Sequence, residues 1–339
     1  MNYILKDEKA IYYECGYSSD NSIFLKFGSH RYFITDSRYT IEAKELVHNA
    51  EVVTAPDIIL KANNILSKVK IKKISFDPKE WTIFSYNKLT SNLKINFKEK
   101  PDFSHYKRVI KSEDEIKLLS KAVKLGEKAF NALAKDINKN GFGEDEYRLT
   151  YRAKSILSHF GKYSLSFDPI VAINANASKP HALPTDSKLV KNNLLLVDAG
   201  LKYKRYCSDR TRTVSADKNF TFNLNQSFKS KKMQKIYDTV LKAHDNAISK
   251  ARSGMKAKEI DALTRDIITK AGYGKYFIHS TGHGVGLDIH EMPYISGKSD
   301  MTIEDGMVYT IEPGIYIPNE FGVRIEDMVV MVNGKVKVL

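Results

Sequence analysis

Cysteine is scarce: Cys15 and Cys207 are the only two in 339 residues. Two thiols build no disulfide framework, which excludes a small stapled secreted domain and fits a reducing cytoplasm. Long apolar runs are missing as well. None approaches the roughly 18 residues needed to cross a bilayer, so no membrane span is expected. Residues 1–10 carry Lys6, Asp7, Glu8 and Lys9 with no apolar segment after them, which reads against a secretory leader. Arginine-rich helices, zinc-finger spacings and aromatic RNA-binding signatures are also lacking, although the formal charge is +14. The excess is mostly lysine spread along the chain, from Lys6 through Lys121 to Lys298, and reads as a solvated surface and not a nucleic-acid site.

Several catalytic signatures are absent too. No G-x-S-x-G elbow occurs. His290-Glu291 begins like a zincin motif, but Tyr294 stands where the second histidine belongs. The glycines around His283 lack the G-x-G-x-x-G spacing and a strand–turn–helix frame, which excludes a dinucleotide fingerprint.

What is present is the composition of an ordinary soluble globular protein, with 42% hydrophobic and 28% charged residues. The length favours two domains. In the first hundred residues, Ser22-Ile-Phe-Leu-Lys-Phe27 and Arg31-Tyr-Phe-Ile-Thr35 read as strands about the turn Gly28-Ser29. Residues 41–48 read as a helix and 73–77 as a further strand, giving a small α/β domain over 1–108. A polar stretch with Pro101 follows, and Ser112-Glu-Asp-Glu115 predicts a capping box before a long helix with Ile116, Leu119, Val123, Phe130 and Leu133 on one face.

Residues 109–339 then repeat themselves. A helix over about 112–138, Gly141, a helix to about 160, Gly161 and strands to about 214 are echoed later. The echo is a helix over about 230–253, Gly254, a helix to about 271, Gly272 and strands to the end. The expected fold is therefore α+β, a duplicated unit with pseudo-two-fold symmetry.

Acids recur at matching places in the two halves. Leu194-Leu-Leu-Val-Asp198 and Cys207-Ser-Asp209-Arg-Thr-Arg-Thr-Val214 form a hairpin turning at Tyr203-Lys204, which, without a bulge, sets Asp198 opposite Asp209. Val308-Tyr-Thr-Ile-Glu312 and Val323-Arg-Ile-Glu326 flank Pro318-Asn-Glu320, which sets Glu312 opposite Glu326. Four carboxylates buried on apolar strands cost far too much without cations, and two divalent ions balance them. Gly282, Gly284 and Gly286 let the backbone approach closely, and His283 adds a nitrogen ligand.

Together these residues resemble the pita-bread metallopeptidases, a family of methionine aminopeptidase, aminopeptidase P, prolidase and the metal-free creatinase. The resemblance rests on Val197-Asp-Ala-Gly200, Ser208-Asp-Arg-Thr-Arg-Thr213, Thr281-Gly-His-Gly-Val-Gly-Leu-Asp-Ile-His-Glu291, Thr310-Ile-Glu-Pro-Gly-Ile-Tyr316 and Gly322-Val-Arg-Ile-Glu-Asp327. It implies that Asp198, Asp209, His283, Glu312 and Glu326 hold two metals, Mn²⁺ by preference and Co²⁺ or Zn²⁺ as fits, with Asp209 and Glu326 bridging. It implies that His181, His290 and Glu312 are catalytic, Glu312 shuttling the proton of the attacking water, and that His279, Arg324 and Tyr316 lie at the substrate. The intact ligand set argues against creatine amidinohydrolysis and against a non-catalytic binding module. Methionine aminopeptidases lack a separate N-terminal domain of this length. Tyr32-Phe-Ile-Thr-Asp-Ser-Arg38-Tyr resembles the creatinase-like N-terminal domain of aminopeptidase P and prolidase. The expected activity is an Xaa-Pro aminopeptidase acting on peptides with proline second, or else a prolidase acting on Xaa-Pro dipeptides. The family also implies a homodimer.

Overall fold

The computed structural model describes residues 1–339, and the chain forms two compact units, Met1–Arg108 and Val109–Leu339. No helix is long and apolar enough to cross a membrane.

The first unit is a six-stranded mixed sheet in the order Glu51–Thr54, His30–Thr35, Ser22–Phe27, Tyr3–Leu5, Lys73–Phe76, Asn96–Glu99. Strand alternation divides its side chains between two cores. Ile4, Ile23, Leu25 and Ile34 face the helices Ile58–Ser67 and Ile83–Thr90. Tyr3, Leu5, Phe24 and Phe33 pack with Ile11 of the helix Glu8–Cys15 and with Ala43.

The second unit is duplicated, as the acids and glycines suggest. The helix Glu113–Asn140 starts at Ser112, whose hydroxyl accepts from Glu115 N while the Glu115 carboxylate accepts from Ser112 N. With the helix Glu146–Leu157 it covers a three-stranded antiparallel sheet of Thr211–Ala216, Asn193–Asp198 and Ile170–Ile173. The helices Lys231–Lys250 and Ala257–Lys270 pack in the same manner on the second half. Its five-stranded sheet runs Glu291–Ile295, Gly282–Gly284, Val308–Ile311, Asp327–Val332, Lys335–Val338. A two-stranded ladder, Gly314–Ile317 with Phe321–Arg324, extends from it.

One expected register is wrong and the other holds. Asp198 opposes Thr211, not Asp209, and Tyr203 opposes Tyr206. The turn is centred one residue later, on Lys204 and Arg205, both with positive φ (46° and 68°). Two left-handed residues make the tight turn whose twist matches that of the flanking strands, and neither Lys nor Arg announces it. The slip moves each partner by two positions. A slip of one would turn Asp209 to the other face, whereas a slip of two keeps it beside Asp198. In the second half, Gly314 opposes Arg324 and Ile311 opposes Asp327. Both ladders share one register, which sets Glu312 opposite Glu326 about Asn319, whose φ of 60° closes the turn.

Candidate metal centre

The strand Asn193–Asp198 is buried on both faces. Leu195 and Val197 point to the first pair of helices. Leu194 and Leu196 point to Ile236, Tyr237, Ile315 and Val323 of the second half. Asp198 continues the latter series, so it faces the other half of the unit. Its neighbours on the adjacent strand, Thr211 and Thr213, bind that half directly. Thr213 Oγ1 donates to Arg324 O at 2.9 Å, Thr211 Oγ1 donates to Glu326 Oε2 at 2.6 Å, and Glu326 N donates to Thr211 O at 3.1 Å.

The glycines around His283 close the remaining side. A Cβ on Gly282 would collide with the carbonyl oxygen of Thr310, so the backbone lies against that strand only because no side chain intervenes. His283 N donates to Thr310 Oγ1 at 3.1 Å, and Thr310 Oγ1 donates to Glu312 Oε1 at 3.1 Å. Nδ1 of His283 donates to Gly284 O at 3.1 Å. That contact fixes the tautomer and leaves a lone pair on Nε2, which lies 3.3 Å from Glu312 Oε1 and 3.6 Å from Asp209 Oδ2. Donor atoms of Asp209, His283 and Glu326 all fall within 4.8 Å of one another.

The electrostatics are those of a site built for cations. Burial, then the charges of Glu326, Asp198 and Glu312, pushes the Asp209 carboxyl well above its usual range. Burial, then Glu312 and Asp198, does the same to Glu326. Burial lifts Glu312 to about 8. His283 moves the other way, because burial disfavours its charged ring. Arg324 is the one permanent cation among them. It donates to Asp198 Oδ2 at 2.6 Å, Thr211 Oγ1 at 3.0 Å and Tyr316 OH at 2.7 Å. Asp198 Oδ1 is buried with no partner. An orphaned carboxylate oxygen beside three carboxyls and an imidazole, all of whose charged forms burial disfavours, is a donor set that fits hard divalent ions.

These five residues line a cavity of about 510 Å³ together with His181, His279, His290 and Arg324. The His290 ring stands 4.3 Å from that of His283, edge to face. His279 Nδ1 donates to Ser280 O, so its Nε2 accepts from Tyr316 OH at 2.8 Å. Burial and Arg324 lower the His279 ring to about 4. Tyr316, expected beside substrate, is absent from the cavity wall. It is buried and touches both Arg324 and His279.

Sequence reasoning gave no role to Thr211 or Thr310. Thr211 was findable: it follows Asp209 by two residues in a β-like run, where alternate side chains share a face. The apolar part of the wall, Phe167, Pro169, Ile170, Leu183 and Pro184, carried no motif at all.

Comparison with known proteins agrees with this geometry. Residues 117–333 match the model of metallopeptidase family M24, and residues 2–116 match the creatinase/prolidase N-terminal domain. The Xaa-Pro dipeptidase of Pyrococcus furiosus is 37% identical over 258 residues, which cover 74% of this chain and 70% of that protein. Among solved structures, the Xaa-Pro dipeptidase from Bacillus anthracis aligns with a TM-score of 0.90 at 32% identity, over 99% of this chain and 92% of that one. The X-Pro aminopeptidase from Thermotoga maritima gives 0.89 at 29% identity, over 99% and 94%.

Proposed function

This chain belongs to metallopeptidase family M24, and from that premise we propose that it hydrolyses the bond between an N-terminal residue and proline in short peptides. The observation that carries the reading is the cluster of Asp198, Asp209, His283, Glu312 and Glu326 on the wall of one half-apolar cavity. Those five residues would hold two divalent ions, with Asp209 and Glu326 as the shared ligands. Carboxylate oxygens with one imidazole suit Mn²⁺, and Co²⁺ or Zn²⁺ could substitute. When bound, such ions supply an acidified water at neutral pH and positive charge against the scissile carbonyl.

The chain's own residues would do the rest. Glu312, on the cavity wall, would take the proton of the attacking water and pass it to the leaving proline nitrogen. His181 and His290, on the cavity wall, would donate to the charge developing on the carbonyl oxygen. Phe167, Pro169 and Ile170 offer an apolar surface suited to a proline ring. The proline preference is supported by the relatives, which are Xaa-Pro dipeptidases and an X-Pro aminopeptidase. Cys15 and Cys207 are buried free thiols, which suits a cytoplasmic enzyme.

The test is a rate comparison with added Mn²⁺ on Ala-Pro, Ala-Pro-Ala and Ala-Ala-Ala. Cleavage of the proline peptides alone is expected. Equal cleavage of Ala-Ala-Ala would overturn the proline preference, and metal-independent cleavage would overturn the metal reading.

A further inference from the structure

The cavity wall carries two permanent cations, Arg324 and Lys154. Arg324 is fully engaged with Asp198, Thr211 and Tyr316. Lys154 is not. Its ammonium pairs with Asp168 at 3.0 Å, and Asp168 is 82% exposed. An ion pair so open to water contributes little and is readily exchanged. The helix Glu146–Leu157 thus brings an exchangeable ammonium to the cavity wall.

That wall also carries Phe167 and Ile170, while the metal cluster concentrates four carboxylates elsewhere on the cavity. A substrate with its scissile bond at the cluster and its proline against the apolar residues has one negative group to place, its terminal carboxylate. Arg324 is already committed to Asp198, so Lys154 is the cation on the wall left to attract it. We propose that Lys154 binds the free C-terminal carboxylate of a short Xaa-Pro substrate, with Asp168 as the counter-ion released on binding. Lys154 is thus a specificity residue that favours free dipeptides over amidated or extended chains. This rests on the Xaa-Pro reading above.

The test uses the Mn²⁺-loaded enzyme with Ala-Pro and Ala-Pro amide, which differ only in the terminal charge. The wild type is expected to show the lower KM for Ala-Pro. Lys154→Gln should raise that KM about tenfold by removing a charge-assisted hydrogen bond, with kcat little changed and the amide unaffected. Asp168→Asn should lower the KM for Ala-Pro, because the competing carboxylate is gone. Both side chains are solvent-accessible, so both variants should fold. Equal effects of Lys154→Gln on acid and amide, or none on either, would overturn the assignment, as would a raised KM for Ala-Pro in Asp168→Asn. If the wild type cleaves neither compound, the Xaa-Pro reading itself fails. Cleavage of both with a silent Lys154→Gln removes only the carboxylate site.

Discussion

Arg324 neutralises only half of Asp198: its guanidinium donates to Oδ2 at 2.6 Å, and Oδ1 is left buried without a partner. The same guanidinium reaches Thr211 and Tyr316, so a planar fork spans both halves of the unit. Lysine keeps the charge but cannot make three directed contacts at once. Arg324→Lys should lower the stability of the metal-free protein by about 1–3 kcal/mol, through buried acceptors left unpaired. Denaturant unfolding measures it, and an unchanged midpoint and slope would count against the network.

A pH signature follows from the carboxyls. Asp209, Glu312 and Glu326 are raised in the metal-free protein, Glu312 to about 8, whereas an unfolded glutamate titrates near 4.3. Between those values the folded chain holds protons that the unfolded chain releases, so stability falls as pH rises. His279, His283 and His290 are lowered and act in the opposite sense below about 6.5. Between about 6.5 and 8 that opposition is gone, and Glu80, raised to about 7, and the raised His244 ring add to the carboxyl effect. With chelator present, the melting temperature should drop across that window. Saturating Mn²⁺ should shrink the drop, because the ions displace the protons of the cluster and leave only those of Glu80 and His244. A chelated protein that grows more stable from pH 6.5 to 8 would refute this.

The histidines should separate by role. His283 points its free nitrogen at Glu312 and Asp209, so His283→Ala should lose bound metal and activity together. His181 and His290 line the cavity without approaching those carboxylates in any ion pair. His181→Ala and His290→Ala should keep their metal while kcat falls by about 100-fold, the scale for losing a donor to a developing oxyanion. Metal stoichiometry measured beside kcat decides it. Metal loss in either variant would make that residue a ligand.

Lys111 and Glu291 form a buried ion pair across 180 residues of sequence, at 1% and 3% side-chain exposure. The Glu291 carboxylate sits where a side chain on Gly286 would be, so it fastens the loop between His283 and His290. Lys111→Met strands a buried charge and should cost about 3–5 kcal/mol. Adding Glu291→Leu should recover most of that loss. Additive losses in the double variant would show that the two residues do not act as a pair.

The sequence made the acidic cluster legible for a local reason. Carboxylates at the ends of apolar strands are costly, and cost is visible without a structure. Glu312 and Glu326 were matched correctly because Pro318-Asn319-Glu320 marks its own turn. Asp198 and Asp209 were mismatched because Lys204 and Arg205 adopt a conformation that side chains of their kind rarely take. Contacts between distant segments were opaque: nothing in Thr211 or Arg324 names the other as a partner. The sequence also did not show that Tyr316 reaches the cavity only through Arg324 and His279, because a motif position fixes proximity to a site and not which surface the side chain presents.

The seam between the two halves has a practical corollary. Asp198 and Asp209 come from one side of it and His283, Glu312 and Glu326 from the other, with Thr211 and Thr213 bonded across. The connection between the halves passes through Asp217, Lys218 and Asn219, all exposed. Neither half owns a binding site, so a chain severed at Lys218 would yield two fragments that divide one chelator between them. Their reunion would then respond to free divalent ion by mass action, and complementation of the severed pieces would turn a catalytic centre into a gauge of metal concentration.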